Sequence, residues 1–311
     1  MMRNFMAMRC TFLRSLSLVT VVSVLLAQPA SAADKGAGKS AKAPARYADT
    51  LIAGLTPARV TPYKRVGERE LKLHVFLPTG WQASDRRPAF VAIHGGGWTG
   101  GDATRMYPFV DHFARQGMVG ISVEYRLLKP GNGVTVFDCV QDGRSAIRYV
   151  RAHAAELGID PARILANGGS AGGHVAVSTA LFAAFDDATE DRRISAEPNA
   201  LVLFFPVIDT SKDGYGNAKI GERWRELSPA HNVRPGLPPT LVFHGTGDTT
   251  TPFKGAQLFH DEMRKAGNRV QLDVNEGGGH GYLLVERATY EDTLAKTEKF
   301  LREVKMWPAQ R

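Results

Sequence analysis

Five short apolar runs, at residues 90–93, 119–123, 164–166, 201–205 and 241–243, lack the alternating polar positions of a strand with one wet face. Strands of this kind are buried on both sides, as in a mostly parallel sheet covered by helices. The segments between them fit that arrangement. Val136, Val140, Ile147 and Val150 recur at helical spacing within 134–153, and Gly158 and Pro161 close that stretch. Residues 105–116, 171–184, 253–266 and 286–299 also read as helices, and 270–274 as a further strand. Strand and helix alternating down the chain predict a doubly wound α/β fold. Only the entry differs. Leu71, Leu73, Val75 and Leu77 alternate with Lys72, His74 and Phe76, giving a strand expected to pair antiparallel with 60–66 across a turn near Gly67.

The 311 residues suit one large domain, and no internal repeat or second core is visible. A hydrophobic share of 43% with 23% charged residues excludes wholesale disorder. The net charge of +8 comes without an arginine-rich run, so nucleic acid is not expected as a partner. Residues 1–32 read as a signal peptide: Arg3, Arg9 and Arg14 precede an apolar run at 16–27, and Ala30-Ser31-Ala32 offers a small-residue cleavage site. That run is too short for a comfortable membrane span. The expectation is export to the periplasm or the medium with no membrane anchor after cleavage. Cys10 leaves with the leader, and Cys139 alone cannot form an internal disulfide. Residues 33–55 read as a flexible tether of alanine, glycine and lysine, and 56–311 as a single domain.

Gly168-Gly169-Ser170-Ala171-Gly172 directly follows a strand and opens an apolar helix. A turn this tight needs small neighbours and lifts the serine hydroxyl at the carboxyl edge of the sheet, the context of a nucleophile elbow. A helix N-cap is the other role open to Ser170. His94-Gly95-Gly96-Gly97-Trp98 ends the strand at 90–93, and its glycines let the main chain approach a developing oxyanion; the expected donors are the amides of Gly96, Gly97 and Ala171. A serine nucleophile needs a base. His74, His112, His153 and His260 default to structural or solvated roles, His174 is carried away along its helix, and His231 is a loop alternative. His280 lies in a glycine-rich loop just after the strand at 270–274 and is the expected base. Asp248 runs off the strand at 241–243 on a short turn and is the expected acid, with Asp209, after the strand at 201–205, as the rival. Asp138 and Asp142 lie within a helix and read as structural.

No paired-cysteine or His-Glu-x-x-His motif points to a metal, and no dinucleotide or Walker-type turn follows Gly95-Gly96-Gly97, so neither metal nor cofactor is expected. From about Pro88 onward, His94–Trp98, Glu124-Tyr125-Arg126-Leu127, Gly168–Gly172, His244–Asp248 and His280 stand in an order that resembles the α/β-hydrolase superfamily, most closely its esterase/lipase branch with an HGGG-type oxyanion loop. Within that branch the motifs are similar to those of exported acetyl and feruloyl esterases acting on polysaccharides. The resemblance implies a mostly parallel sheet with antiparallel N-terminal strands and helices on both faces, and a serine esterase taking a small-molecule or polysaccharide ester. A peptidase of prolyl-oligopeptidase type and a non-catalytic carbohydrate-binding relative are the alternatives.

Residues 206–239 are the only stretch long enough to build over the site. They predict a short rim, with the N-terminal tether too polar to add a cover. Trp98 and Tyr282, beside the oxyanion loop and the base, are expected to offer flat faces to a sugar ring or an aromatic acyl group, packing being the alternative.

Overall fold

The computed structural model describes residues 46–308. The chain enters through one helical turn, α1 (Tyr47–Thr50), and a hairpin of β1 (Arg59–Val66) and β2 (Arg69–Phe76). Then follow β3 (Arg87–Ile93), α2 (Tyr107–Arg115), β4 (Val119–Val123), α3 (Val136–Ala152), β5 (Ile159–Gly169) and α4 (Ala171–Leu181). The last part holds β6 (Ala200–Phe204), α5 (Asn217–Ile220), β7 (Thr240–Gly245), α6 (Phe253–Lys265), β8 (Val270–Asn275) and α7 (Arg287–Glu303).

The strands make one sheet in the order β1-β2-β4-β3-β5-β6-β7-β8. β2 pairs antiparallel with both β1 and β4, and every later pairing is parallel. Each central strand sends alternate side chains to opposite faces, both of them dry. On β3, Ala89, Val91 and Ile93 join the layer of α3, α4 and α6, while Phe90 and Ala92 meet α2 and α7. That two-sided burial is why the runs at 90–93 and 201–205 carry no polar alternation. Phe90 stacks on Phe113 of α2 with ring centroids 4.1 Å apart.

The connection from β3 leads to β4 on one side, and that from β5 leads to β6 on the other. Chain leaves these two neighbouring strands in opposite directions, which opens a crevice beyond their carboxyl ends. The segments 94–98 and 168–172 end there.

The expected tether at 33–55 is corrected over its described part. Tyr47, Leu51 and Leu55 recur every fourth residue and pack on the α2/α7 layer, with Ala48 buried beneath them. The Tyr47 amide donates to Val285 O at 3.0 Å, and its ring meets Tyr290 edge-on at 5.6 Å. The folded domain therefore includes residues 46–55, because this one apolar stripe outweighs the polar composition around it. The signal-peptide reading of 1–32, the rest of the tether and residues 309–311 lie outside the described residues.

Candidate active site

Ser170 joins β5 to α4 with φ 56° and ψ −123°, a backbone state that costs a residue with a side chain about 1–3 kcal/mol. The surroundings enforce it. The Ser170 amide donates to Phe204 O at 2.9 Å, and its carbonyl accepts from Val207 N at 3.0 Å and His174 N at 3.1 Å. Gly172 passes so close to the Ile93 and His94 carbonyls that any Cβ would overlap them. The Ser170 side chain makes no cap bond to α4, which removes the N-cap alternative.

Its hydroxyl instead lies 3.0 Å from His280 Nε2, and His280 Nδ1 lies 2.8 Å from Asp248 Oδ2. An ionised carboxylate only accepts, so Nδ1 carries the proton and Nε2 is left to accept from Ser170. Phe205 packs edge-on against the imidazole at 4.9 Å, limiting its rotation. The Asp248 side chain is fully buried. Burial alone would raise its carboxyl; hydrogen bonds from His280, the Thr251 amide and the Thr251 hydroxyl outweigh that and hold it below the usual carboxylate range. The amides of Thr250 and Thr251 each reach Oδ1 at 2.8 Å, and the Thr251 hydroxyl reaches Oδ2 at 2.8 Å. The rival Asp209 accepts from Ser211 N at 2.8 Å and lies 3.9 Å from His231, away from His280. His174 is buried along α4, bound to Leu227 O at 2.7 Å.

The loop 94–98 runs beside Ser170. Gly97 has φ 62°, and a Cβ there would stand 2.6 Å from the Tyr215 hydroxyl, so only glycine fits. Among the described residues, the amides of Gly96 and Gly97 donate to no backbone carbonyl. These glycines and Ser170 line one cavity of about 260 Å³. The segment after β4 holds the loop from below. Tyr125 Oη donates to His94 O at 2.9 Å and Leu128 N to Trp98 O at 2.9 Å. Arg126 is fixed in turn by Asp142 at 2.7 Å and Asp138 at 2.8 Å. This accounts for Tyr125 and Arg126 of the 124–127 motif and for the structural reading of both aspartates. Burial pushes His94 down to about 4, so it stays neutral within the brace.

Two expectations are corrected. Trp98, also at positive φ, turns back into the core, where it is fully buried against His174 at 5.1 Å and Tyr215 at 5.6 Å; it offers no face to the cavity. Tyr282 packs its ring toward Gly278, and its hydroxyl is buried without a hydrogen-bond partner. The aromatic side chains that do line the cavity are Phe109, Phe204, Phe205 and Tyr215. Sequence reasoning also missed Thr251, Arg105 and the α1 segment, whose Arg46, Ala48 and Asp49 form part of the rim. Among the described residues no His, Cys, Asp and Glu cluster is arranged for a metal, and no helix is long and apolar enough to cross a membrane.

A mostly parallel sheet that presents a strained serine, a buried Asp–His pair and a glycine loop at one edge defines an α/β-hydrolase of the esterase/lipase branch. More narrowly, the chain belongs to the BD-FAE family, whose profile matches residues 73–263; a profile described as TAP-like protein matches 222–305. The chain is similar to Thermogutta terrifontis esterase 2, described in a form phosphoramylated by tabun, at 42% identity over 82% of this chain and 98% of that one, with a TM-score of 0.78. It is also similar to the probable carboxylic ester hydrolase LipM of Mycobacterium tuberculosis, at 27% identity over 70% of this chain and 54% of LipM. An acetylxylan esterase of Xylanibacter ruminicola is 28% identical over 66% of this chain and 43% of that protein. The chain spans about half the length of the curated relatives it matches. These relatives are carboxylic ester hydrolases, and that is the class of its family.

Proposed function

We propose that the protein is an exported serine esterase that removes short or aromatic acyl groups, acetyl or feruloyl, from polysaccharides. The observation that carries the esterase reading is the unbroken hydrogen-bond line from Ser170 through His280 to Asp248 at the mouth of a cavity. In this mechanism Ser170 Oγ attacks the ester carbonyl while His280 Nε2 takes its proton. Asp248 keeps the proton on Nδ1 and stabilises the imidazolium. The amides of Gly96, Gly97 and Ala171 receive the oxyanion, a term of about 3 kcal/mol for a single donor. His280 then protonates the leaving alcohol, and water admitted to the same site cleaves the acyl-enzyme by the reverse sequence of proton transfers.

The preference for short acyl groups rests on a cavity of about 260 Å³, below the roughly 300–1,000 Å³ usual for drug-sized ligands. A long chain would leave methylenes in water, forgoing about 0.8 kcal/mol for each. Propionate-bound and butyrate-bound forms of esterase 2 support the same size range. The polysaccharide part rests on the motif resemblance and on the acetylxylan esterase among the relatives. Export rests on the leader at 1–32, and the mature chain is expected to begin at Ala33 by N-terminal sequencing.

The test is a series of p-nitrophenyl esters from acetyl to dodecanoyl, run beside acetylated and feruloylated polysaccharides. The expected result is a steep fall in kcat/KM with acyl length and release of acid from a polymer. A preference for acyl chains of about ten carbons or more would overturn the size argument. No release from any polymer would overturn the polysaccharide reading alone.

A further inference from the structure

Tyr215 and Lys219 come from the 206–239 segment, and both reach the glycine loop. Lys219 Nζ donates to Gly97 O at 3.1 Å and to Tyr215 Oη at 2.8 Å, and it lies over the Tyr215 ring at 4.8 Å. Its polar partners are thus a carbonyl and a phenol, and among the described residues no carboxylate takes the charge. The segment is locked in place at Gly216, where a Cβ would lie 2.5 Å from the buried Trp98 ring.

An ammonium has only donors, so the phenol oxygen is the acceptor in this bond and its own hydrogen must point elsewhere. Among the described residues the Tyr215 hydroxyl makes no hydrogen bond besides the one from Lys219. Tyr215 lines the cavity beside Gly97 and Ser170. It packs with the α3/α4 layer, whereas the apolar wall of the cavity, Met106, Phe109, Phe204 and Phe205, belongs to the α2/α7 layer. An acyl group on the apolar wall leaves the alcohol portion on the Tyr215 side. We propose that Tyr215 donates a hydrogen bond to an oxygen on the carbon next to the ester-bearing carbon of the alcohol, and that Lys219 is the positioning residue that aims it. The substrate class this selects is the monoester of a vicinal diol, the unit a partly acylated sugar presents. The inference rests on the esterase reading and adds to it the residue that recognises the alcohol.

The test compares trans-2-hydroxycyclohexyl acetate with cyclohexyl acetate, which differ only in the neighbouring oxygen. The readout is the ratio of their kcat/KM values. Tyr215→Phe is expected to lower that ratio about three- to tenfold, the range of one neutral hydrogen bond. Lys219→Met is expected to lower it in the same direction, Lys219→Arg to retain most of it, and the double variant to fall no further than Tyr215→Phe, since both act on one bond. A ratio unchanged within about twofold in Tyr215→Phe overturns the assignment of Tyr215. Effects of Lys219→Met and Tyr215→Phe that multiply in the double variant overturn the positioning role of Lys219. If the parent hydrolyses neither acetate, and p-nitrophenyl acetate no better than Ser170→Ala does, the esterase reading fails and takes this inference with it.

Discussion

Two regions meet at the cavity, and they are held by different means. Ser170 is fixed by what lies within a few residues of it along β5 and α4, and by the ends of β3 and β6 alongside. The rim is assembled from afar: Asp49 and Arg46 come from α1 and the residue before it, Arg105 precedes α2, and Tyr215 comes from the 206–239 segment. At the sheet edge each backbone bond is part of a ladder or a tight turn, so displacement of one group strains its neighbours. On the rim, Arg46 and Asp49 are bound chiefly to each other, at 2.9 and 3.1 Å, with side chains 41% exposed. The nucleophile thus sits where neighbouring backbone bonds fix it, while the rim is built from contacts between segments far apart in the chain.

The largest effect separating the two regions belongs to the edge. Ser170→Ala is expected to lower ester turnover by about 10⁴-fold or more, with melting temperature and circular dichroism unchanged. Asp248→Asn is expected to cost about 10⁴-fold in kcat, because an amide at that position favours the wrong imidazole tautomer. Steady-state kinetics on p-nitrophenyl acetate checks both. Residual activity above a few per cent in Ser170→Ala would place the nucleophile elsewhere.

The same contrast explains what the sequence revealed. The edge is legible because its constraints are local: a strand, a serine among glycines and a helix must fold as an elbow, and apolar runs without alternation must lie inside a two-sided core. The strand positions, the mostly parallel pairing and the residues gathered around His280 follow from such patterns. The rim is illegible for the opposite reason. Tyr47, Leu51 and Leu55 form a stripe too short to read as an ordered segment, and only the α2/α7 surface it packs on fixes it there. Trp98 is drawn toward a substrate role in sequence because its neighbours are at the site, but it takes the packing alternative. Positive φ at both Gly97 and Trp98 reverses the chain, and composition carries no trace of that. Tyr215 and Lys219 are joined to the oxyanion loop only by contacts that span more than a hundred residues of chain.

Trp98 bridges the regions, so its loss should be felt as stability. Its indole is fully buried between α4 and Tyr215, and Trp98→Ala is expected to cost about 3–5 kcal/mol in unfolding free energy. Urea denaturation monitored by circular dichroism measures it. A loss under about 1 kcal/mol would mean that the loop and the 206–239 segment do not lean on this side chain.

Acid tests the edge in another way. Burial depresses both His94 and His174 to about 4 from an ordinary value of 6.5. The unfolded chain takes up these protons first as pH falls, so stability is complete above pH 6.5 and declines from there toward pH 4. Each histidine contributes about 3 kcal/mol over that window. Asp248, held below its ordinary value, acts in the same direction but lower on the pH scale: its contribution is present above pH 3.8 and is lost as pH falls beneath it. Urea midpoints measured from pH 7 to pH 4 should therefore fall before the carboxylates titrate. A flat midpoint between pH 6.5 and 4.5 would show that neither imidazole is buried as described.

The smallest expected effect is on the rim. Arg46 and Asp49 are an exposed pair on a single helical turn, and such pairs contribute roughly 0–1 kcal/mol. Asp49→Ala is accordingly expected to leave the melting temperature within about 2 °C, since 1 kcal/mol corresponds to about 2–4 °C in a domain of this size. Its consequence should appear in substrate binding. Removing the carboxylate frees Arg46 at the cavity mouth, so KM for an ester bearing an anionic group should fall about two- to threefold relative to that for a neutral ester of equal length, and the difference should shrink in 0.5 M salt. Ala48→Asp is the sharper companion. It puts an unpaired charge beneath α1, which should detach the turn and lift Tyr47, and Leu51 and Leu55 after it, from the α2/α7 layer. If Ala48→Asp alters acyl-length selectivity while Asp49→Ala alters only the anionic preference, the rim acts as two separable parts, a packed wall and a charged lip. Equal responses in the two variants would mean that α1 works only as a plug, and that Arg46 has no bearing on which ester enters.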